Sequence, residues 1–278
     1  MRKLDTLQIP LTRIVIVSSL QQVIKFYLRW HDKQHIIPSA MSDGIFSIIS
    51  QGAKELNILL PPTAEAAFRA YYDFLEKRGE RVNLTAISGA EEVARLHFLD
   101  SIALLNVTAF KAMKVIDIGS GAGFPGIPLK IAEPAIDLTL LEATGKKISF
   151  LADLCTELNI GATFINARAE EAAHIPSMRE QYDIAVARAV SKLNILNELC
   201  LPFVRVGGCF IAMKSVDTDE EISEAQNAIT ILGAEIKDII DYKIHGTEIK
   251  HRAVLIKKIA ETPEKYPRRF AKMQKSPL

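Results

Sequence analysis

The chain has 278 residues, 24% charged and 49% apolar, and a formal net charge of +1. That composition excludes a disordered or fibrous protein and allows one large domain with an appendage, or two small domains. Cys155, Cys200 and Cys209 are scattered with no CxxC pair, which argues against a disulfide framework or zinc ribbon, and no apolar run reaches the roughly 18–20 residues of a bilayer span.

In chain order, residues 1–60 are the least patterned, with apolar patches at Ile14–Val17, Val23–Trp30 and Ile45–Ile49 lacking a clean period. The opening "MRKLDTLQIPLTRIVIVSSLQQ" imitates a signal peptide, but its apolar stretch is short and Gln21–Gln22 replaces a cleavage site. The change from patternless to patterned sequence suggests Met41 as the authentic start, with 1–41 an extension of unknown role. A helix is expected from Thr63, because Phe68, Tyr71, Tyr72 and Leu75 recur at i, i+3, i+4 and i+7 before Gly79 stops it. A second helix is expected over Ala90–Leu105, with Leu96, Leu99 and Ala103 along one face. On it, His97, Asp100 and Ser101 share a face at i, i+3, i+4. With no nucleophile elbow they read as a helix-surface His–Asp pair rather than a hydrolase triad.

From residue 111 the pattern alternates. Strands are expected at 113–119, 136–143, 162–168, 182–190, 207–215, 234–244 and 252–259, with helices at Lys146–Leu158, Asn194–Leu201 and Asp219–Leu232. Apolar strands joined by helices imply a doubly wound, mostly parallel seven-stranded α/β sheet covered on both faces. The short loop Gly246–His251 suits a hairpin and makes the last strand antiparallel. The expected organisation is a helical subdomain over 42–110, a cofactor domain over 111–260 and a basic tail over 261–278. From Lys257 to Leu278 seven Lys/Arg stand against two Glu, which reads as a solvated tail or a polyanion contact.

The first strand ends in "VIDIGSGAGFPGIP" (115–128), where an open α/β sheet binds its ligand. A P-loop is excluded because no Lys-Ser or Lys-Thr follows the glycines. A dinucleotide fingerprint can be drawn through Gly121, Gly123 and Gly126. However, Pro125 and Pro128 delay the helix whose N-terminus would hold the diphosphate. The pattern Asp117-x-Gly119-x-Gly121-x-Gly123 instead suits S-adenosylmethionine: an aspartate for a cationic methionine moiety, and glycines for close backbone approach. Glu142, ending the second strand, is placed to accept ribose hydroxyls of either adenosyl cofactor, the competing reading being a solvated acid at a strand end.

Taken together, "RVNLTAI", "HFLDSIALL", "VIDIGSGAGFPGIPLKI", "LLEATGKKISFL", "ARAEE", "VARAV" and "TPEKYPRRF" resemble the small-subunit ribosomal RNA methyltransferase G family, also known as glucose-inhibited division protein B. The likeness runs over about residues 64–278. It implies a Rossmann-like class I methyltransferase that is cytoplasmic, monomeric, free of metal and membrane, and acts on 16S rRNA or the small ribosomal subunit. The reaction it implies is methylation of N7 of one guanine in the 530 loop, with S-adenosylhomocysteine as product. The family's cofactor contacts fall on Gly119, Phe124, Ala169, Glu170 and Arg188. Competing readings make Phe124 core and Arg188 the partner of a structural carboxylate such as Asp183. His97 and Arg188 are positioning candidates, and no general base is expected. Lys146, Lys147, Lys214, Arg268, Arg269 and Lys272 are the candidate RNA contacts.

Overall fold

A computed structural model describes residues 42–78 and 89–278. Residues 1–41, Gly79 and the "RVNLTAI" segment lie outside them, as do the expectations attached to those positions.

The first described element is α1 (Ser42–Glu55), a helix within the helical subdomain expected over 42–110, although its bounds are not legible in the sequence. Ile45, Ile49 and Ala53, spaced at i, i+4 and i+8, are buried along one stripe, a helical period that the flanking polar residues obscure. Gly52 lies so close to the next helical run that a Cβ would sit 2.5 Å from Leu99 Cδ1. Helix α2 (Ala64–Arg78) buries Phe68, Tyr71, Tyr72 and Leu75, as their spacing requires.

The third helical run, α3, spans 90–106 and is not one regular helix. An α-turn (Ala90–Val93) widens into a π segment (Ala94–Leu99), returns to α (Asp100–Ile102) and closes as 3-10 (Ala103–Asn106). Wide turns of this kind interrupt the regular backbone ladder. Here the segment carries His97 and leads directly into Asp100, and both side chains are buried.

Seven strands follow: β1 (Lys114–Ile118), β2 (Asp137–Glu142), β3 (Thr163–Asn166), β4 (Tyr182–Arg188), β5 (Val204–Ser215), β6 (Ala234–Lys243) and β7 (Lys250–Lys258). They form one sheet in the order β3-β2-β1-β4-β5-β7-β6, with β7 antiparallel to both neighbours. The final hairpin is therefore folded back so that its second strand inserts beside β5.

Alternate residues serve opposite faces, as a pleated strand demands. Val115, Val186 and Ile211 join a cluster with the lead-in helices, α4 (Gly126–Ala132) and α5 (Gly145–Glu157). Ile116, Ala185 and Phe210 face α7 (Leu193–Cys200) and α8 (Asp219–Ile231) on the other side. The short helix α6 (Ala169–Ala172) follows β3, and α9 (Phe270–Lys275) is the last described element.

The tail is not a solvated appendage. Tyr266 and Met273 are buried in the second cluster, and Arg268 donates to the buried Glu198 through Nε (2.8 Å) and Nη2 (2.7 Å). The basic residues counted in the sequence conceal these anchors, because the compensating acid lies on α7.

Candidate active site

Parallel strands β1 to β5 all end on the same sheet edge. The strand order reverses between β1 and β4, with β2 and β3 laid down on one side and β4 and β5 on the other, which is where such sheets open a crevice. The glycine turn starts there. Gly119, Gly121 and Gly123 have φ of +73°, +57° and +106°, values that L side chains seldom adopt. At Gly123 the space is also taken, since a Cβ would lie 2.6 Å from the Tyr71 hydroxyl. Helix α4 begins only at Gly126, with Pro128 in its first turn, where a missing N–H leaves nothing unsatisfied.

Asp117 is fully buried beneath this turn. Its Oδ2 accepts the Gly126 amide at 2.9 Å, tying strand to helix, while Oδ1 has no partner. Burial pushes its pKa up to about 7, against the pull of the Gly126 amide and of Arg188. An unpartnered carboxylate oxygen fits a cationic ligand group, delivered directly or through water.

Glu142, at the end of β2, accepts the amides of Gly121 (3.2 Å) and Thr144 (2.9 Å). Two carboxylate oxygens have about four acceptor positions, so capacity remains for hydroxyls. Beyond β3, Ala169 opens α6 and Glu170 pairs with Arg168 at 2.8 Å. The sequence-expected cofactor residues Asp117, Gly119, Gly121, Gly123, Phe124, Glu142, Ala169, Glu170 and Arg188 thus lie in the last residues of β1, β2 and β4 or in the turns just after β1 and β3, along one edge.

Two placements change the picture drawn from sequence. Phe124 is enclosed, with its ring against His97 (centroids 4.5 Å apart), Tyr71 (5.2 Å) and Phe98, and the Arg188 guanidinium 4.9 Å from its centre. His97 and Asp100 are not a helix-surface pair, because the π segment turns them inward onto Arg188. Arg188 donates to the Leu96 carbonyl (3.0 Å), to Asp100 Oδ2 (3.3 Å) and to His97 Nδ1 (2.9 Å). Asp183 belongs elsewhere, accepting Arg205 Nε at 2.6 Å and the Lys114 amide at 2.8 Å. An arginine cannot accept, so His97 Nδ1 must be unprotonated. Burial first, then Arg188, lowers the His97 pKa to about 4, consistent with a neutral ring.

Sequence reasoning did not find Tyr242 and His251. Both reach Asp100 Oδ1 at 2.8 Å from facing positions on β6 and β7. Their one local signal is position, at strand ends on the ligand edge.

The candidate RNA contacts divide. Lys146, Arg269 and Lys272 are exposed and Lys147 is half-buried. Lys214 is committed to Glu221 and the Ser191 carbonyl, and Arg268 to Glu198. Among the described residues no helix is long and apolar enough to cross a membrane.

The strand order, the antiparallel β7 and the glycine turn at the crevice define a Rossmann-like class I methyltransferase. A family model described as rRNA small subunit methyltransferase G matches residues 64–250. Relatives named ribosomal RNA small subunit methyltransferase G are similar along most of the chain. The one from Alkaliphilus oremlandii is 44% identical over 83% of this chain and 98% of its own length. That from Caldanaerobacter subterraneus subsp. tengcongensis is 45% identical over 86% and 100%. The chain belongs to the rRNA small subunit methyltransferase G family.

Proposed function

We propose that the chain transfers the methyl group of S-adenosylmethionine to N7 of a guanine of 16S rRNA, at the 527-type position in the 530 loop. The observation that supports this reading is the alignment of the glycine turn, Glu142, Ala169–Glu170 and Arg188 along one sheet edge in a chain of this family. When bound, the donor supplies an electrophilic methyl group on a sulfonium and leaves as S-adenosylhomocysteine. Asp117 and the turn would hold its methionine end, Glu142 the ribose, and Ala169–Glu170 the adenine edge.

Guanine N7 carries an in-plane lone pair, so no side chain has to take a proton before attack. A neutral His97 that accepts from Arg188 suits a positioning role better than a base role. The chain's contribution is then alignment of nucleophile, methyl and leaving sulfur. A-form RNA hides N7 in a groove too deep and narrow for side chains, so the target base must sit in a loop or remodelled segment. The partner is 16S rRNA or the small subunit in the cytoplasm, and the protein acts as a monomer.

The test supplies purified protein with methyl-labelled S-adenosylmethionine and, separately, naked 16S rRNA, small subunits and 70S ribosomes. Label at one guanine, released by cleavage chemistry selective for 7-methylguanine, is the expected result. Donor binding without transfer to any RNA would favour a small-molecule or protein methyltransferase, or a non-catalytic binder.

A further inference from the structure

Asp100 is the meeting point of three strands that are distant in sequence. Its side chain is 1% exposed and receives Arg188 from β4, Tyr242 from β6 and His251 from β7. A buried carboxylate facing one guanidinium keeps lone pairs that must be satisfied, or desolvation exceeds the attraction. The Tyr242 hydroxyl and the His251 Nδ1–H supply those bonds, both to Oδ1, which leaves Oδ2 for Arg188.

The guanidinium is held by acceptors from a single stretch of five residues: the Leu96 carbonyl, His97 Nδ1 and Asp100 Oδ2. That stretch straddles the end of the π segment. It lies over Phe124 of the glycine turn, so cation, imidazole and turn form one packed unit. A staple that merely joined helix to sheet would not need to fix the orientation of a guanidinium at the ligand edge.

We propose that Asp100, itself oriented by Tyr242 and His251, is a positioning residue that sets the Arg188 guanidinium for the cofactor. This rests on the reading of the sheet edge as an S-adenosylmethionine site. It makes the β6–β7 hairpin, remote from the glycine turn in sequence, part of that site's support.

The test uses the full chain with Asp100→Asn, Tyr242→Phe and Arg188→Ala, alone and with each of the first two combined with the third. Binding of S-adenosylmethionine and, separately, of 16S rRNA without cofactor is measured by calorimetry well below the unfolding midpoint. Asp100→Asn should weaken cofactor binding about tenfold and Tyr242→Phe roughly threefold, with RNA affinity unchanged. In the Arg188→Ala background either change should add less than about twofold, because residues acting through one another are not additive. Equal weakening in both backgrounds, or parallel loss of RNA binding, would overturn the proposal and leave a structural staple. If Asp100→Asn does not fold, Tyr242→Phe decides by the same comparison. Wild-type protein that binds no S-adenosylmethionine would overturn the proposed function and this inference together. Wild-type binding with both variants unaffected overturns this inference alone.

Discussion

Gly123 combines a φ of +106° with a Cβ position 2.6 Å from both the Tyr71 hydroxyl and Ile127 Cδ1. Alanine there should cost roughly 1–3 kcal/mol of backbone strain, with the displacement of Tyr71 in addition. Tyr71 matters because its hydroxyl donates to the Ala122 carbonyl at 2.7 Å and so holds the turn against α2. Gly161 is the control: it has open space around it, and Gly161→Ala should stay within about 0.5 kcal/mol of wild type. Urea unfolding of the two variants separates them, and matching midpoints would show that the turn tolerates a side chain. Asp117 offers a second measurement at this scale. Burial raises its pKa from 3.8 to about 7, so the folded state holds the proton more tightly than the unfolded chain. The contribution is nil below pH 3.8, stability falls as pH rises from 3.8 to about 7, and the deficit persists above that. Asp117→Asn removes this slope. The variant should gain on wild type by on the order of a few kcal/mol between about pH 4 and pH 8, while binding a cationic donor less tightly. A pH-independent difference between the two unfolding curves would mean that Asp117 ionisation does not couple to folding.

At the scale of elements, the tail shows charge used for docking. Arg268 binds both oxygens of Glu198, a side chain 1% exposed, and its own backbone amide also donates to Oε1 at 2.7 Å. Arg179 reaches the carbonyls of Thr262 (2.6 Å) and Tyr266 (2.9 Å), and the buried Lys258 binds Glu180 and Thr262 at 2.7 Å each. Removing one member of a buried pair strands the other charge, so Arg268→Ala should destabilise by about 3–5 kcal/mol. Arg269→Ala, next door but exposed, should change stability by less than about 0.5 kcal/mol. If thermal unfolding moves equally little for both, the tail is not anchored by this pair. The same contrast explains what was legible in the sequence. Elements built from local periodicity could be read directly: α2, α5, α8 and the strands lie within a few residues of their expected bounds. The short loop revealed that the last strand is antiparallel, yet nothing in it says that β7 enters between β5 and β6. The docked tail, like the Asp100 cluster, depends on partners far along the chain. Glu198 lies 70 residues from Arg268, and His251 lies 151 from Asp100. Local pattern carries no information on such pairs, so these side chains read as solvated charge.

For the whole molecule, sheet topology decides where a large polyanion can lie. The glycine turn, Glu142 and Arg188 open on the carboxyl edge of the parallel strands. The exposed or half-buried cations that border this edge come from two separate places. Lys146 and Lys147 stand in the first turn of α5, just after β2. Arg269, in the tail, helps to line a cleft with Arg168 and Glu170 beyond β3. Lys272 follows it on α9. A phosphate backbone held at both places would straddle the cofactor edge and leave an unstacked base free to enter between them. Exposed Lys111 and Lys114 sit instead before and at the start of β1, on the opposite edge. Phosphate contacts release counterions, and each one contributes about 0.7–0.9 to the slope of log K against log salt concentration. Replacing Arg269 and Lys272 with alanine should therefore weaken 16S rRNA binding and flatten that slope by roughly 1.5. Lys146 and Lys147 replaced together should do the same, whereas the Lys111 and Lys114 pair should leave both affinity and slope unchanged. Arg268→Ala belongs outside this set, since its effect should appear in unfolding rather than in salt dependence. Equal slope changes from both sheet edges would mean that RNA is held by diffuse charge, and that the carboxyl edge does not orient it.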